Sequence, residues 1–156
     1  MEKIAIFPGS FDPFTVGHES IVRRSVGLFD TIIVAVGVHS GKQPLMSVAS
    51  RVAMINEVFR NDEKVSCASF EGLTVDFCRK VNANYMLRGI RTAADFEYER
   101  AIAQINKKML PEVESVFLLT NPEHTPVNST IIRDIIRNGG DASQFLPEHI
   151  DITKYL

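Results

Sequence analysis

The run Gly9-Ser10-Phe11-Asp12-Pro13-Phe14-Thr15-Val16-Gly17-His18 concentrates residue types that can hold an anion. Gly9 permits close backbone approach, and Ser10 and Phe11 offer N–H groups to an oxygen ligand. Thr15-Val16-Gly17-His18 opens a helix, which puts His18 in its first turn. There the macrodipole disfavours an imidazolium, so a neutral His18 that donates a hydrogen bond to a phosphate oxygen is expected. The segment is not GxGxxG, and no Gly-Lys-Ser/Thr follows it, so it is neither a dinucleotide fingerprint nor a Walker A loop. More cations and hydroxyls stand farther on: Lys42 in Lys42-Gln43-Pro44, Arg88 and Arg91 in Leu87-Arg88-Gly89-Ile90-Arg91, and Ser129-Thr130 ahead of Arg133. No Ser-His-Asp or Cys-His arrangement is evident. The set suits the holding of an anionic, phosphate-bearing ligand by N–H groups and local cations.

These residues must be brought together by the elements between them. Short apolar runs at Ile4 to Phe7, Thr31 to Val38, Val65 to Phe70, Tyr85 to Leu87 and Ser115 to Leu119 read as strands buried on both faces. Helical spacing separates them. Ile21, Ser25 and Leu28, with Val22, Val26 and Phe29, make one stripe. Val48, Val52, Ile55 and Phe59 make a second, with Ser47 as N-cap. A shorter helix covers Leu73 to Val81. Ala94, Tyr98, Ile102, Ile105 and Met109 share one face of a long fourth helix ended by Pro111. Ile131, Ile132, Ile135 and Ile136 mark a fifth, stopped at Asn138-Gly139-Gly140, and a short tail helix follows Pro147. Strictly alternating strands and helices give a doubly wound α/β fold: a five-stranded parallel sheet, helices on both faces, right-handed crossovers. Ligands in such folds sit beyond the carboxyl ends of the strands. Chemistry is therefore expected after strands one, two, four and five.

The chain's 156 residues suit a single domain, 1–156. Its net charge of −2 gives no basic field for nucleic acid, so an anionic ligand must be met by local cations. Cys67 and Cys78 match no zinc or CxxC pattern and read as reduced, packed thiols. No signal peptide or membrane-length apolar run is seen, and a soluble cytoplasmic protein is expected.

Gly9-Ser10-Phe11-Asp12-Pro13 with Thr15-Val16-Gly17-His18, and the later Val127-Asn128-Ser129-Thr130-Ile131-Ile132-Arg133, resemble the two signatures of the T/HxGH nucleotidyltransferase superfamily, which is Rossmann-like. Lys42-Gln43-Pro44, Leu87-Arg88-Gly89-Ile90-Arg91, Asp95-Phe96-Glu97-Tyr98-Glu99 and Glu114-Ser115-Val116-Phe117-Leu118 resemble the bacterial phosphopantetheine adenylyltransferase family. The resemblance runs from Ile4 to about Pro147. It implies transfer of adenylyl from ATP to 4′-phosphopantetheine, giving dephospho-coenzyme A and pyrophosphate, the penultimate step of coenzyme A synthesis.

The resemblance also implies roles. His18, Lys42, Arg88 and Arg91 form the catalytic set. Lys42 and Arg88, helped by Ser10, bind the acceptor phosphate, and Thr74 and Asn106 the pantetheine arm. ATP falls to Ser10, Phe11 and His18, to Gly89, Ile90 and Arg91, and to Glu99. The run His124, Thr125, Pro126, Val127 and Asn128 wraps adenine and phosphates, while Ser129 and Thr130 present hydroxyls and helix N-terminal N–H groups. Three positions depart from the family pattern: Ser10 for a more usual Thr, Asn128 for Ser, and His124 where an aromatic is common. Magnesium is implied by the triphosphate, held mainly by its oxygens and water, with no protein metal cage. Coenzyme A is expected as a bound product or inhibitor alongside dephospho-coenzyme A. A homohexamer, a dimer of trimers, is implied; the fourth helix's apolar stripe fits an interface and core packing equally. Two alternatives remain open: a sister enzyme adenylylating nicotinamide or nicotinate mononucleotide, or transferring cytidylyl to an alcohol phosphate, and a nucleotide-binding regulatory module without catalysis.

Overall fold

The computed structural model describes residues 1–39 and 43–156, so Lys42 lies outside the described residues. Strands β1 (Ile4–Gly9), β2 (Thr31–Gly37), β3 (Val65–Phe70), β4 (Tyr85–Ile90) and β5 (Glu114–Leu119) alternate with helices α1 (Val16–Ser25), α2 (Val48–Val58), α3 (Thr74–Val81), α4 (Ala93–Met109) and α5 (Ser129–Arg137). All pairings are parallel, in the order β3-β2-β1-β4-β5. The order reverses between β1 and β4, which marks the switch point where such sheets bind ligands.

The apolar strands are buried on both faces because successive side chains point to opposite sides. Ile32, Val34 and Val36 of β2 join one core with Ile21 and Val22 of α1, Met54 and Ile55 of α2, and Ile132 of α5. Ala35 of β2, with Ile6 and Met86, joins the other, with Val75, Phe77 and Cys78 of α3. Burial pushes the Cys67 thiol up to about 12 and Cys78 to about 11, so both stay protonated and unreactive at neutral pH.

Several boundaries differ from the sequence reading, three of them for a visible reason. β4 continues through Arg88, Gly89 and Ile90, because β5 pairs with it in register as far as Leu119 opposite Ile90. α1 stops at Ser25, whose Oγ donates to the Ile21 carbonyl at 2.6 Å; Leu28 therefore lies off the helix and is exposed. The tail beyond Pro147 forms one 3-10 turn, Ile152–Lys154, with Ile150, Ile152 and Tyr155 packed on the first core.

The α4 stripe does not enter the core. α4 has no buried residue, and Tyr98, Ile102, Ile105 and Met109 are all exposed. Its ends hold it: Thr92 caps Asp95 N–H at 3.2 Å, and Arg79 Nη2 donates to the Met109 carbonyl at 2.7 Å.

β1 and β4 pair only at Ala5 opposite Tyr85 and Ile6 opposite Met86. Beyond that point the strands part. Arg88 spans the opening by donating from Nη1 to the Pro8 carbonyl.

Candidate active site

Two cavities open at the carboxyl ends of the strands. The first, about 570 Å³, lies among β1, β4, the start of α4 and the start of α5. The second, about 450 Å³, reaches Thr74 of α3 and Asn106 of α4. Pro8, Gly9, Ser10, Arg88, Tyr98 and Glu99 line both, so the two adjoin along a shared wall.

His18 is fixed by its own helix start. Thr15, the N-cap, accepts from His18 N at 3.3 Å, and Thr15 N donates back to His18 Nδ1 at 3.0 Å. This is a capping box with histidine in the usual Glu/Gln place. Because Nδ1 accepts a backbone N–H, the neutral ring carries its proton on Nε2. The rings of Phe7, Phe11 and Phe14 surround the imidazole at 6.2, 4.9 and 5.3 Å. That burial, with the charges of Arg88 and Arg91, lowers its pKa from 6.5 to about 3. The unfolded chain protonates near pH 6.5 while the folded site stays neutral to about pH 3. The stability tied to the neutral ring is therefore whole above about pH 6.5 and declines as pH falls toward 3. An imidazole ¹⁵N titration should show His18 protonated on Nε2 and bare on Nδ1 from pH 5 to 8. Titration of the ring inside that window would overturn a neutral donor.

Gly9 answers to packing. Phe11, at φ 50°, turns its ring back across the strand end, where a Cβ on Gly9 would lie 2.8 Å from Phe11 Cζ. The ring that walls His18 needs a glycine at position 9.

Arg88 donates from Nε and Nη2 to Glu99 at 2.9 and 2.6 Å. Arg91 and Asp95 pair at 3.2 Å, and Asp95 also accepts the Arg91 backbone N–H at 3.0 Å. Desolvation opposes ionisation of Asp95, but the Arg91 N–H and guanidinium win and hold its carboxyl below the ordinary range. Both arginines come from β4 and its end, both acids from α4.

At the far wall, Asn128 caps α5 by accepting from Ile131 N at 2.9 Å. The N–H groups of Ser129 and Thr130, in the first turn, have no intrahelical acceptor and remain for an anion. The Ser129 hydroxyl, expected to reach phosphate, instead donates to the Pro13 carbonyl at 2.9 Å. That bond ties α5 to the loop after β1. Arg133 adds a second tie, from Nη1 to the Asp12 carbonyl at 2.9 Å.

The loop after β1 is braced from beneath. Buried Asp12 accepts from Leu45 N and Met46 N at 2.8 and 2.9 Å. Buried Arg51 donates to the Met46 carbonyl at 3.2 Å and to the Ser10 carbonyl at 2.8 Å. The ring joins the Ser10 loop to the connection that follows Lys42.

Of the expected site residues, the structure places Ser10, Phe11, His18, Gly89, Arg91, Glu99, His124, Val127, Asn128, Ser129 and Thr130 on the first cavity, and Ser10, Thr74, Arg88 and Asn106 on the second. Three do not reach a wall. Ile90 is buried, and its carbonyl accepts from Thr120 N at 2.8 Å across the strand pair. Thr125 and Pro126 form the turn that Val127 N closes onto the His124 carbonyl at 2.9 Å, between His124 and Val127 on the wall. The walls also hold Asp95, Tyr98, Thr120 and Arg133, which the sequence reading does not count among the substrate-binding residues. Asp95, in the first turn of α4, pairs back to Arg91 just ahead of the Thr92 cap.

The arrangement can grip a polyphosphate between two arginines and a helix N-terminus, with a neutral imidazole donor between them and a second anion site adjoining. Residues 6–135 match the family model described as cytidylyltransferase-like. A phosphopantetheine adenylyltransferase of Flavobacterium psychrophilum is 49% identical over 95% of this chain and 97% of its own. One of Leptospira biflexa is 47% identical over 95% and 92%. Among solved structures, a bifunctional NMN adenylyltransferase/ADP ribose pyrophosphatase of Francisella tularensis matches with TM-score 0.74 at 17% identity, over 97% of this chain and 47% of that one. A putative nicotinate-nucleotide adenylyltransferase of Vibrio parahaemolyticus matches with TM-score 0.72 at 19% identity, over 94% and 88%. At those identities the structural matches speak for the fold; the sequence relatives speak for the family.

Proposed function

The chain belongs to the phosphopantetheine adenylyltransferase family of cytidylyltransferase-like enzymes, and from that membership we infer how its residues divide the transfer of adenylyl from ATP to 4′-phosphopantetheine, giving dephospho-coenzyme A and pyrophosphate for coenzyme A synthesis. The observation that carries the division is the wall shared by the two cavities, with Arg88 in it and His18 beside it. ATP occupies the first cavity and the pantetheine arm the second, so the two phosphates meet at Arg88.

An oxygen of the acceptor phosphate attacks the α-phosphorus of ATP in line. The bond to the bridging oxygen of the β-phosphate breaks, and pyrophosphate leaves with that electron pair. His18 donates from Nε2 to the α-phosphate oxygen on which charge develops, a role that a ring already neutral performs without losing a proton. Arg91 and the N–H groups of Ser129 and Thr130 hold the β- and γ-phosphates and then the leaving group. Arg88, with Ser10 and Lys42, holds the acceptor phosphate, and Thr74 and Asn106 border its arm. Dephospho-coenzyme A then spans both cavities, and coenzyme A binds the same way as product or inhibitor.

Magnesium accompanies ATP in this reading. The acids on the walls are engaged by protein donors: Asp12 by Leu45 and Met46, Asp95 by Arg91, Glu99 by Arg88. Among the described residues no three His, Cys, Asp or Glu side chains gather as a metal cage. The donor set therefore suits an ion carried by triphosphate oxygens and water, where it offsets phosphate charge. The exposed apolar face of α4 supports self-association, and we assign it to a homohexamer built as a dimer of trimers. Among the described residues no helix is long and apolar enough to cross a membrane. We place the enzyme in the cytoplasm, where coenzyme A assembly draws its ATP.

Pyrophosphate release with magnesium-ATP should be rapid with 4′-phosphopantetheine and at background with nicotinamide mononucleotide. Release with the mononucleotide instead would overturn the acceptor assignment. ATP binding without release on either acceptor would favour a regulatory module.

A further inference from the structure

Arg51, on α2, is only 6% exposed, yet no ion pair among the described residues includes it. A buried guanidinium normally stands against a carboxylate. This one directs its donors at two backbone carbonyls, from Nε to Met46 at 3.2 Å and from Nη1 to Ser10 at 2.8 Å.

The Ser10 carbonyl belongs to the peptide unit that carries Phe11 N–H. That unit is trans, so its carbonyl and its N–H point in opposite directions. Arg51 grips the carbonyl from the buried side, which turns Phe11 N–H toward the cavity that Ser10 and Phe11 line together with His18. Among the described residues this N–H makes no backbone hydrogen bond, since β1 ends at Gly9 and α1 begins only at Val16. The Phe11 ring is fixed on its other side, buried against Phe7 and Phe14 with centroids 5.2 and 5.3 Å away. Between the gripped carbonyl and the packed ring, Phe11 is held at φ 50°. A bulky residue keeps that left-handed value only where its surroundings over-determine it. The charge of Arg51 acts as well as its shape. A cation that donates to one end of a peptide unit polarises it and strengthens the N–H at the other end as a donor.

We propose that Arg51 is a positioning residue for the transfer: through the Ser10 carbonyl it aims and polarises Phe11 N–H toward a phosphate oxygen of the nucleotide. The proposal rests on the assignment of the first cavity to ATP.

Wild-type protein, Arg51→Met and Arg51→Lys would be compared by pyrophosphate release, by thermal unfolding and by amide NMR. Labelling with ¹³C-carbonyl serine and ¹⁵N-phenylalanine selects the two Ser–Phe peptides of the chain, Ser10–Phe11 and Ser69–Phe70. The second ends β3 and serves as an internal control. Magnesium-ATP added without acceptor should move the wild-type Phe11 amide proton downfield, as a phosphate oxygen accepts from it. In Arg51→Met, an apolar stem of similar length, that movement should fall by about half or more, and kcat/KM for ATP should fall about tenfold. The loss is smaller than the roughly 10²–10³ that follows removal of a donor, because Phe11 N–H remains and only its aim and polarity are lost. Arg51→Lys keeps the charge but not the fork, so both readouts should lie between; it carries the test if Arg51→Met does not fold. A merely structural brace would lower the unfolding temperature and leave the Phe11 response intact. An undiminished response in a folded variant would therefore overturn the proposal, as would a folded Arg51→Met within about twofold of the wild-type kcat/KM. So would a wild-type Phe11 proton that ignores magnesium-ATP shown to be bound by equilibrium dialysis. Dialysis that found no ATP bound would instead sink the cavity assignment. If wild-type protein released no pyrophosphate while Phe11 answered magnesium-ATP through Arg51, the transfer would fail and the aiming of the amide would stand.

Discussion

His18→Ala is expected to lower kcat by about 10²–10³, the usual effect of removing one preorganised donor from a developing oxyanion. The loss should fall on kcat more than on the KM for either substrate, because Nε2–H meets charge that grows only in the transition state. The substitution has a second consequence. Nδ1 is one half of the α1 capping box, so alanine also removes the bond from Thr15 N and should lower stability by about 0.5–2 kcal/mol. His18→Asn separates the two effects, since its side-chain oxygen can still accept from Thr15 N while no donor stands where Nε2 stood. Steady-state kinetics and thermal unfolding of both variants would check this. An alanine variant that kept more than a third of the wild-type kcat would remove His18 from the chemistry.

Arg88→Lys should be nearly as damaging, despite keeping the charge. The guanidinium makes three hydrogen bonds at once, two to Glu99 and one to the Pro8 carbonyl. An ammonium on a flexible stem cannot reproduce that planar fork. One charge-assisted hydrogen bond contributes about 1.5–3 kcal/mol, so loss of the bidentate pair and its directed edge should reduce kcat/KM for 4′-phosphopantetheine by about 10²-fold. KM for that acceptor should rise more than KM for ATP, because the proposed division gives the acceptor phosphate to Arg88, on the wall that both cavities share, and the triphosphate to Arg91. A lysine variant within about threefold of wild type on the acceptor would show that charge alone suffices there.

The order of elements and the helix starts were legible in the sequence because local rules govern them. Ser47 caps α2 through a bond to Ser50 N, and Thr15 caps α1. The end of β4 was not, since Arg88-Gly89 reads as the end of an apolar run. Pairing with β5 carries the strand on through both residues. Periodicity showed that α4 is amphipathic but could not say which surface covers its apolar face, because spacing records a stripe and not its partner. The bracing ring of Asp12, Met46, Arg51 and Ser10 was silent for another reason. Its bonds end on backbone atoms, two of them 34 and 41 positions away, where side-chain type leaves no trace. The Ser129 tie was silent likewise: its acceptor, the Pro13 carbonyl, lies 116 positions earlier.

The short seam between β1 and β4 bears on thermodynamic linkage. The sheet's two halves, β1–β3 and β4–β5, join by backbone pairing only near Ala5 and Ile6. Beyond it the halves are tied by the Arg88 bond to the Pro8 carbonyl, by Arg24 to the Leu119 carbonyl and by Ser129 and Arg133 to the loop after β1, and the proposed reaction brings the phosphates of both substrates to that gap. A ligand that fills the gap stabilises the folded chain by RT ln(1 + [L]/Kd), about 2.7 kcal/mol when its concentration is a hundred times Kd. The resistance of this enzyme to unfolding is thus tied to its substrate supply. When ATP and acceptor run low, the same chain at the same temperature is a less stable protein.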